Sequence, residues 1–297
     1  DNYSQHLGVA IKSLVENLSP GSELNIHILE RDISNTSKKK LKRIAGPRHS
    51  IDFRTCELEN RINFPVRRHV SIVTYYRLYI PDQISNSIKK VIYLDPDVVV
   101  NGDIVPLWKE SVREYSLAAI KDIGFSHQES LGIPKGSNCF NSGVMLLNLK
   151  AWRENNVIKK IEDFIISNGE NFHLHDQDAL NGVLYDHWKE LHPKWNLQFN
   201  MCKVGRAEAS KKIIEAKSDP KIIHFTTNSK PWHYDNIHPY KDEYYKYLSK
   251  TPWRDYKPEI TAKAVLVKFV KVILMRLPIS IEKIVVKLYL LFKSRVK

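Results

Sequence analysis

From Lys90 to Val100 the chain reads Lys-Val-Ile-Tyr-Leu-Asp-Pro-Asp-Val-Val-Val, and this run limits the fold more than any other. Five residues of buried-strand character stop at two carboxylates and a proline, and apolar strand character then resumes. Further strand-like runs fall at residues 24–29, 51–53, 116–120, 143–147 and 221–225. Helical periodicity lies between them, at 4–18, 37–44, 152–167 and Asp176–Leu184, and another helix begins within 71–78. Strands alternating with helices predict an α/β fold: a mostly parallel, Rossmann-like sheet with helices on both faces. Ligands of such sheets sit at the carboxyl ends of strands, where Asp95 and Asp97 fall. No GxGxxG or Walker A motif occurs, so ordinary dinucleotide and P-loop readings have no support.

Asp95 and Asp97 are two positions apart, which in an extended segment turns both carboxylates to one side. Hard cations such as Mg²⁺ or Mn²⁺ take such oxygens and share them with substrate phosphates. A plain Asp-Pro-Asp turn is the other reading. His175-Asp176-Gln177-Asp178 reads either as a helix start with acidic residues at the positive dipole end or as a polar site. Asn141-Ser142-Gly143 is either a capped turn or a polar group at a strand's entrance. His224 at a strand end, with Lys230 six residues on, is either a half-buried imidazole and a surface lysine or a metal ligand and a diphosphate counter-charge. Arg77, within Thr-Tyr-Tyr-Arg-Leu, reads most simply as a helix-surface arginine lying along aromatics.

Taken in chain order, these segments resemble glycosyltransferase family 8, above all its bacterial lipopolysaccharide and lipooligosaccharide galactosyl- and glucosyltransferases. The elements are Asp1-Asn2-Tyr3, His69 through Arg77-Leu78, Tyr93-Leu94-Asp95-Pro96-Asp97, Ala119-Ile120-Lys121-Asp122, Phe140-Asn141-Ser142-Gly143-Val144, Asp176-Gln177-Asp178 and His224 to Lys230-Pro231-Trp232. The resemblance spans residues 1 to 235 and implies a GT-A type fold and a retaining hexosyltransferase that uses UDP-galactose or UDP-glucose. It implies that Asp95, Asp97 and His224 hold Mn²⁺ (or Mg²⁺) and that Lys230 contacts the donor diphosphate. Tyr3 would stack on the uracil and Asn2 would touch the nucleoside. Arg77, Asn141 and Asp176 would bind the transferred hexose. Gln177 would lie beside the anomeric carbon, opposite the leaving group, while His69 and Asp122 face the acceptor. Two departures are visible. The strand that precedes Asp-Asn-Tyr in the family is expected to be missing before residue 1, and Thr227 stands where close relatives often carry Gly.

The net charge of +13 points to an acidic partner, and it is unevenly spread. Nine Lys/Arg against one Glu lie from Ile260 onward, so a tail of residues 259–297 carries most of the excess beyond a catalytic domain of residues 1–258. Pro278 splits that tail into two helix-length, basic amphipathic pieces. They read as helices docked on the body or, as favoured here, as in-plane anchors on anionic lipid. The expected location is therefore cytoplasmic, peripheral to the inner face of the cytoplasmic membrane, with a glycan or glycolipid acceptor. No apolar run approaches the roughly 20 residues of a membrane span. Three cysteines without paired spacing fit a reducing compartment and no zinc site. A nucleic-acid-binding basic protein and a non-catalytic nucleotide-sugar binder are the competing classes. The first lacks a recognisable module, so no nucleic-acid partner is expected.

Overall fold

The computed structural model describes residues 1–58, 61, 62, 64 and 72–276. His69 and the tail beyond residue 276, including its second amphipathic piece, lie outside the described residues. The first helix, α1 (Ser4–Glu16), buries Val9, Ala10, Ile11 and Leu14. It is pinned at its end by Asn17, whose Nδ2 donates to the carbonyls of Ser13 (2.9 Å) and Val100 (3.0 Å). Strands β1 (Asn25–Glu30) and β2 (Ser50–Thr55) pair in parallel, with helix α2 (Asn35–Ala45) between them in sequence. The Ser34 hydroxyl caps α2, and Gly46 ends it at φ 77°, a left-handed conformation that suits glycine.

The central sheet holds β3 (Lys90–Leu94), β5 (Leu117–Lys121), β6 (Phe140–Asn148) and β7 (Trp188–Glu190), in the order β3-β6-β5-β7. A second sheet has the order β4-β9-β8, from β4 (Val98–Val100), β8 (Leu197–Gln198) and β9 (Ile222–His224). The α/β class holds, with the correction that pairing is mixed rather than mostly parallel. β1–β2, β5–β7 and β8–β9 run parallel, whereas β3–β6, β5–β6 and β4–β9 run antiparallel. For β5–β6 the reason is local. Residues 122–139, between β5 and β6, contain only a 3₁₀ turn (Gln128–Leu131), and a parallel crossover needs a helix to pack back on the sheet.

Two expected helices also change form. The segment carrying Arg77 is a 3₁₀ helix (Ile72–Tyr79). The 152–167 helix is broken into Leu149–Glu154 and α3 (Val157–Asn168) by Asn156, at φ 51°. Helix α4 (Asp176–Leu184) packs on β6. There the fully buried Asn181 accepts from Phe140 N–H at 2.8 Å and donates to Phe140 O at 2.9 Å. This clasp fixes the second turn of α4 against the start of β6. Helix α5 (Lys241–Leu248) buries Tyr244 and Tyr247 near α1. The basic helix α6 (Ala262–Arg276) follows.

Candidate active site

Three strand ends and one helix start converge on the Asp-Pro-Asp turn. Pairing of Val98 with His224 across β4–β9 brings β9's last residue beside Asp97, and Phe225 N–H donates to Asp97 O at 3.1 Å. Across β3–β6, Asp95 N–H donates to Gly143 O at 2.8 Å. β6 is irregular here: Asn141 opposes Ile120 and Met145 opposes Ala119, so Ser142, Gly143 and Val144 are left over between them. Such bulges re-aim side chains. A Cβ on Gly143 would stand 2.1 Å from His224 Cε1 and 2.7 Å from Asp95 Oδ2, so only glycine allows that approach.

The result is a cluster of like groups. Candidate ligand atoms of Asp95, Asp97 and His224 all lie within 4.8 Å of one another. His224 Nδ1 is 3.0 Å from Asn196 Oδ1, which leaves Nε2 facing Asp97 Oδ1 at 3.3 Å and Asp95 Oδ2 at 3.6 Å. With the proton on Nδ1, that contact is lone pair against carboxylate rather than an ion pair. Asp97 Oδ1 is buried and has no hydrogen-bond donor. Side-chain groups gathered this closely could hold a metal ion, and two carboxylates with one imidazole suit Mn²⁺ or Mg²⁺.

Two cations flank the acids. Lys230 Nζ donates to Asp97 Oδ2 and to Phe225 O, each at 2.6 Å. Burial opposes the charge on Asp97, but the Lys230 ammonium beside it outweighs that and holds the carboxyl below its ordinary range. Arg77 is largely buried, its side chain 10% exposed, rather than lying on the surface. Its guanidinium meets Asp95 at 2.9 Å and Asp176 at 3.0 Å, donates to the Ser142 carbonyl and hydroxyl at 3.1 Å, and stacks 4.8 Å from the Tyr93 ring. Burial disfavours its charge, yet Asp176 and Asp95 raise its pKa further. Asp176 is pushed up to about 6 by burial first, with Arg77 pulling down and the Asp95 charge pushing up. Tyr93 donates to Asp95 Oδ1 at 2.7 Å.

Gln177 is held from several directions. Its Oε1 accepts from Asn141 Nδ2 (3.1 Å) and Ser142 N–H (3.0 Å), while its Nε2 donates to Asp122 Oδ2 (3.0 Å). Tyr3 stands at the rim, edge-on to Trp232 at 5.8 Å. Burial raises its pKa, with Asp97 adding and Lys230 opposing. Arg77, Asp95, Asp97, Asp122, Asn141, Asp176, Gln177, His224 and Lys230 thus form one connected set. Asn2 is exposed and, among the described residues, is not joined to the set by a hydrogen bond or ion pair. Thr227 donates its hydroxyl to Ser229 O at 3.0 Å. Sequence reasoning missed Asn181 and Asn196, both fully buried. The available signal was a lone amide inside an apolar pattern, Leu180-Asn181 and Trp195-Asn196-Leu197.

Comparison with known proteins identifies the family and the fold. The sequence profile of glycosyl transferase family 8 matches residues 1–236. The chain is 36% identical to general stress protein A of Bacillus subtilis over 265 residues, covering 85% of this chain and 92% of the relative. It is 27% identical to a lipopolysaccharide 1,2-glucosyltransferase of Escherichia coli K12, covering 89% and 80%. Among solved structures, the galactosyltransferase LgtC in complex with donor and acceptor sugar analogues superposes with a TM-score of 0.74 at 25% identity, covering 90% and 97%. The chain belongs to glycosyltransferase family 8 and has the GT-A-like fold of that neighbour.

Proposed function

We propose that this family 8 glycosyltransferase is a metal-dependent, retaining hexosyltransferase that moves galactose or glucose from a UDP-sugar to a lipopolysaccharide or other glycolipid glycan. The observation that carries the reading is the Asp95–Asp97–His224 group, three acceptors with an orphaned carboxylate oxygen, flanked by Lys230. Asp95, Asp97 and His224 would hold Mn²⁺ (or Mg²⁺). The ion, when bound, neutralises charge developing on the departing diphosphate. Lys230 adds a second positive charge on the Asp97 side of the same region. Tyr3 at the rim offers a ring to the uracil, and Asn2 beside it a side-chain amide.

Arg77, Asn141 and Asp176 supply donors and acceptors for the hexose hydroxyls. Gln177, pinned by the Asn141 and Ser142 donors and by Asp122, presents a fixed amide beside the reacting carbon. An amide so engaged is a poor nucleophile, which favours a front-face route through an oxocarbenium-like state, with retention of configuration. Asp122 sits at the outer end of that amide group and, with His69, would face the acceptor.

Exposed Val265, Leu266, Phe269 and Ile273 on α6, interleaved with Lys263 and Lys268, favour an anionic membrane as the surface that brings enzyme and glycolipid together. No helix among the described residues is long and apolar enough to cross a membrane. Peripheral binding at the inner face of the cytoplasmic membrane is therefore the proposed location. The test is a hydrolysis and transfer screen over UDP-sugars with Mn²⁺ or EDTA, and NMR of the product. Turnover of one UDP-hexose only with metal, giving an α-glycoside, is expected. Activity undiminished by EDTA, or a β-product, contradicts the proposal.

A further inference from the structure

Asn196 is fully buried, and its side chain joins the two halves of the site. Its Nδ2 donates to Asn141 Oδ1 at 2.9 Å, and its Oδ1 lies 3.0 Å from His224 Nδ1. Which end of each amide faces which neighbour is set by main-chain groups, because a backbone N–H can only donate. Ser142 N–H reaches Gln177 Oε1 at 3.0 Å, and Gly143 N–H reaches Asn141 Oδ1 at 3.1 Å. Both oxygens are therefore turned toward donors. Gln177 Nε2 then meets Asp122 Oδ2 at 3.0 Å, and Asn141 Nδ2 meets Gln177 Oε1 at 3.1 Å. Asn141 Oδ1 must take its side-chain donor from Asn196 Nδ2. That leaves Asn196 Oδ1 for His224, whose Nδ1 carries the proton. Donation runs one way, from His224 through Asn196, Asn141 and Gln177 to Asp122.

We infer that Asn196 is a positioning residue, which holds His224 in its Nδ1–H tautomer and ties that choice to the amides beside the transferred sugar. The inference rests on the metal reading above. With Nδ1–H engaged, the Nε2 lone pair points at Asp95 and Asp97, as a metal ligand must. The orientation of Gln177 and the ligating state of His224 are then one property, fixed by the same row of hydrogen bonds.

The test combines two readouts that a merely structural residue would leave alone. Two-bond ¹H–¹⁵N spectra of metal-free, histidine-labelled protein report the tautomer, with His224 assigned by its loss in His224→Gln. An EPR titration reports Mn²⁺ affinity. Wild type should show Nδ1–H. Asn196→Leu should mix the tautomers and weaken Mn²⁺ binding by about 10- to 100-fold. Asn196→Asp still accepts from Nδ1–H, so the tautomer and Mn²⁺ binding should persist. It offers no donor to Asn141, however, so kcat should fall while donor KM holds. An Nε2–H tautomer in wild type overturns the inference. So does a folded Asn196→Leu that loses melting temperature and kcat together with tautomer and Mn²⁺ affinity unchanged. The wild-type spectrum and the Asp variant decide the matter even where the Leu variant does not fold. Mn²⁺ that binds wild type no better than Asp95→Asn overturns the metal reading instead, since the metal-free spectrum still reads the relay.

Discussion

The site around Asp95 and the helix Ala262–Arg276 each pair a lysine with an aspartate, and they differ in which groups they take out of water. In the cleft, polar groups are taken out of water. Lys230 and Arg77 are largely buried, and each is matched to a carboxylate within 3 Å. On α6 it is the apolar groups that stay in water: Leu266 and Phe269 are each 63% exposed. The helix touches the body through polar contacts, Lys271 with Asp235 and Lys268 over the Tyr234 ring at 4.6 Å. Burying a charge is costly unless partners are pre-arranged, and exposing a run of large apolar side chains is costly unless something covers them. The cleft therefore reads as built for a charged ligand, and the helix as built for a surface.

The sharpest way to break that contrast is in the cleft. Asp95→Asn or Asp97→Asn keeps side-chain size and turn geometry but removes an anionic ligand, so transfer should fall by about 10³-fold while the protein still folds, with a lower melting temperature from the lost Arg77 or Lys230 partner. A steady-state assay beside a melting curve checks this. Near-normal turnover in either variant would remove the metal role from the turn. The matching experiment on the other region deletes residues 260–297. Each Lys or Arg near an anionic surface contributes about 1 kcal/mol, so flotation with anionic vesicles should be lost, while UDP-sugar hydrolysis survives. Neutral vesicles and high salt should both weaken binding of the intact protein. A truncated protein that melts far lower, with an intact one indifferent to vesicles, would make α6 a docked structural element.

How much of this was legible in the sequence depends on what each residue had to announce. The strand β3, the Asp-Pro-Asp turn and the His224-to-Lys230 segment stand out because carboxylates and an imidazole at the ends of apolar strands need a reason. Arg77 gave no such sign. Its neighbours suggested a helix surface, and only the 3₁₀ geometry and packing against Tyr93 show it buried. The mixed pairing was hidden because strand–helix alternation says nothing of which strands become neighbours, and β6 enters between β3 and β5 from far along the chain. Asn181 and Asn196 look like ordinary polar residues until tertiary structure supplies the backbone and side-chain groups that they satisfy.

Smaller effects sharpen the picture inside the cleft. Gln177→Ala should lower kcat by about 10²-fold and leave the donor KM little changed, because its place is at the reacting carbon. A change confined to KM would move Gln177 to a binding role. The smallest effect concerns pH. The Asp176 carboxyl titrates near 6 in the fold, above an ordinary carboxylate, so the folded metal-free protein holds this proton more tightly than the unfolded chain. That stability is present in acid and is lost as pH rises through about 6. Melting curves from pH 4 to 8 should therefore show wild type losing ground relative to Asp176→Asn as pH rises. The reverse trend would mean that the Arg77 pair outweighs burial.

The central claim is that the carboxylates at Asp95 and Asp97, with His224, receive a nucleoside diphosphate through a divalent ion. It is tested most directly by the melting temperature of the intact protein with UDP, once with Mn²⁺ and once with EDTA. A ligand that binds only the native state raises the melting temperature, by about 2.7 kcal/mol of stability at a hundredfold excess over its Kd. The account predicts a clear rise with UDP and Mn²⁺ together, and almost none with UDP and EDTA. An equal rise in both would contradict it, because the diphosphate would then be held without the ion that those three side chains are arranged to bind.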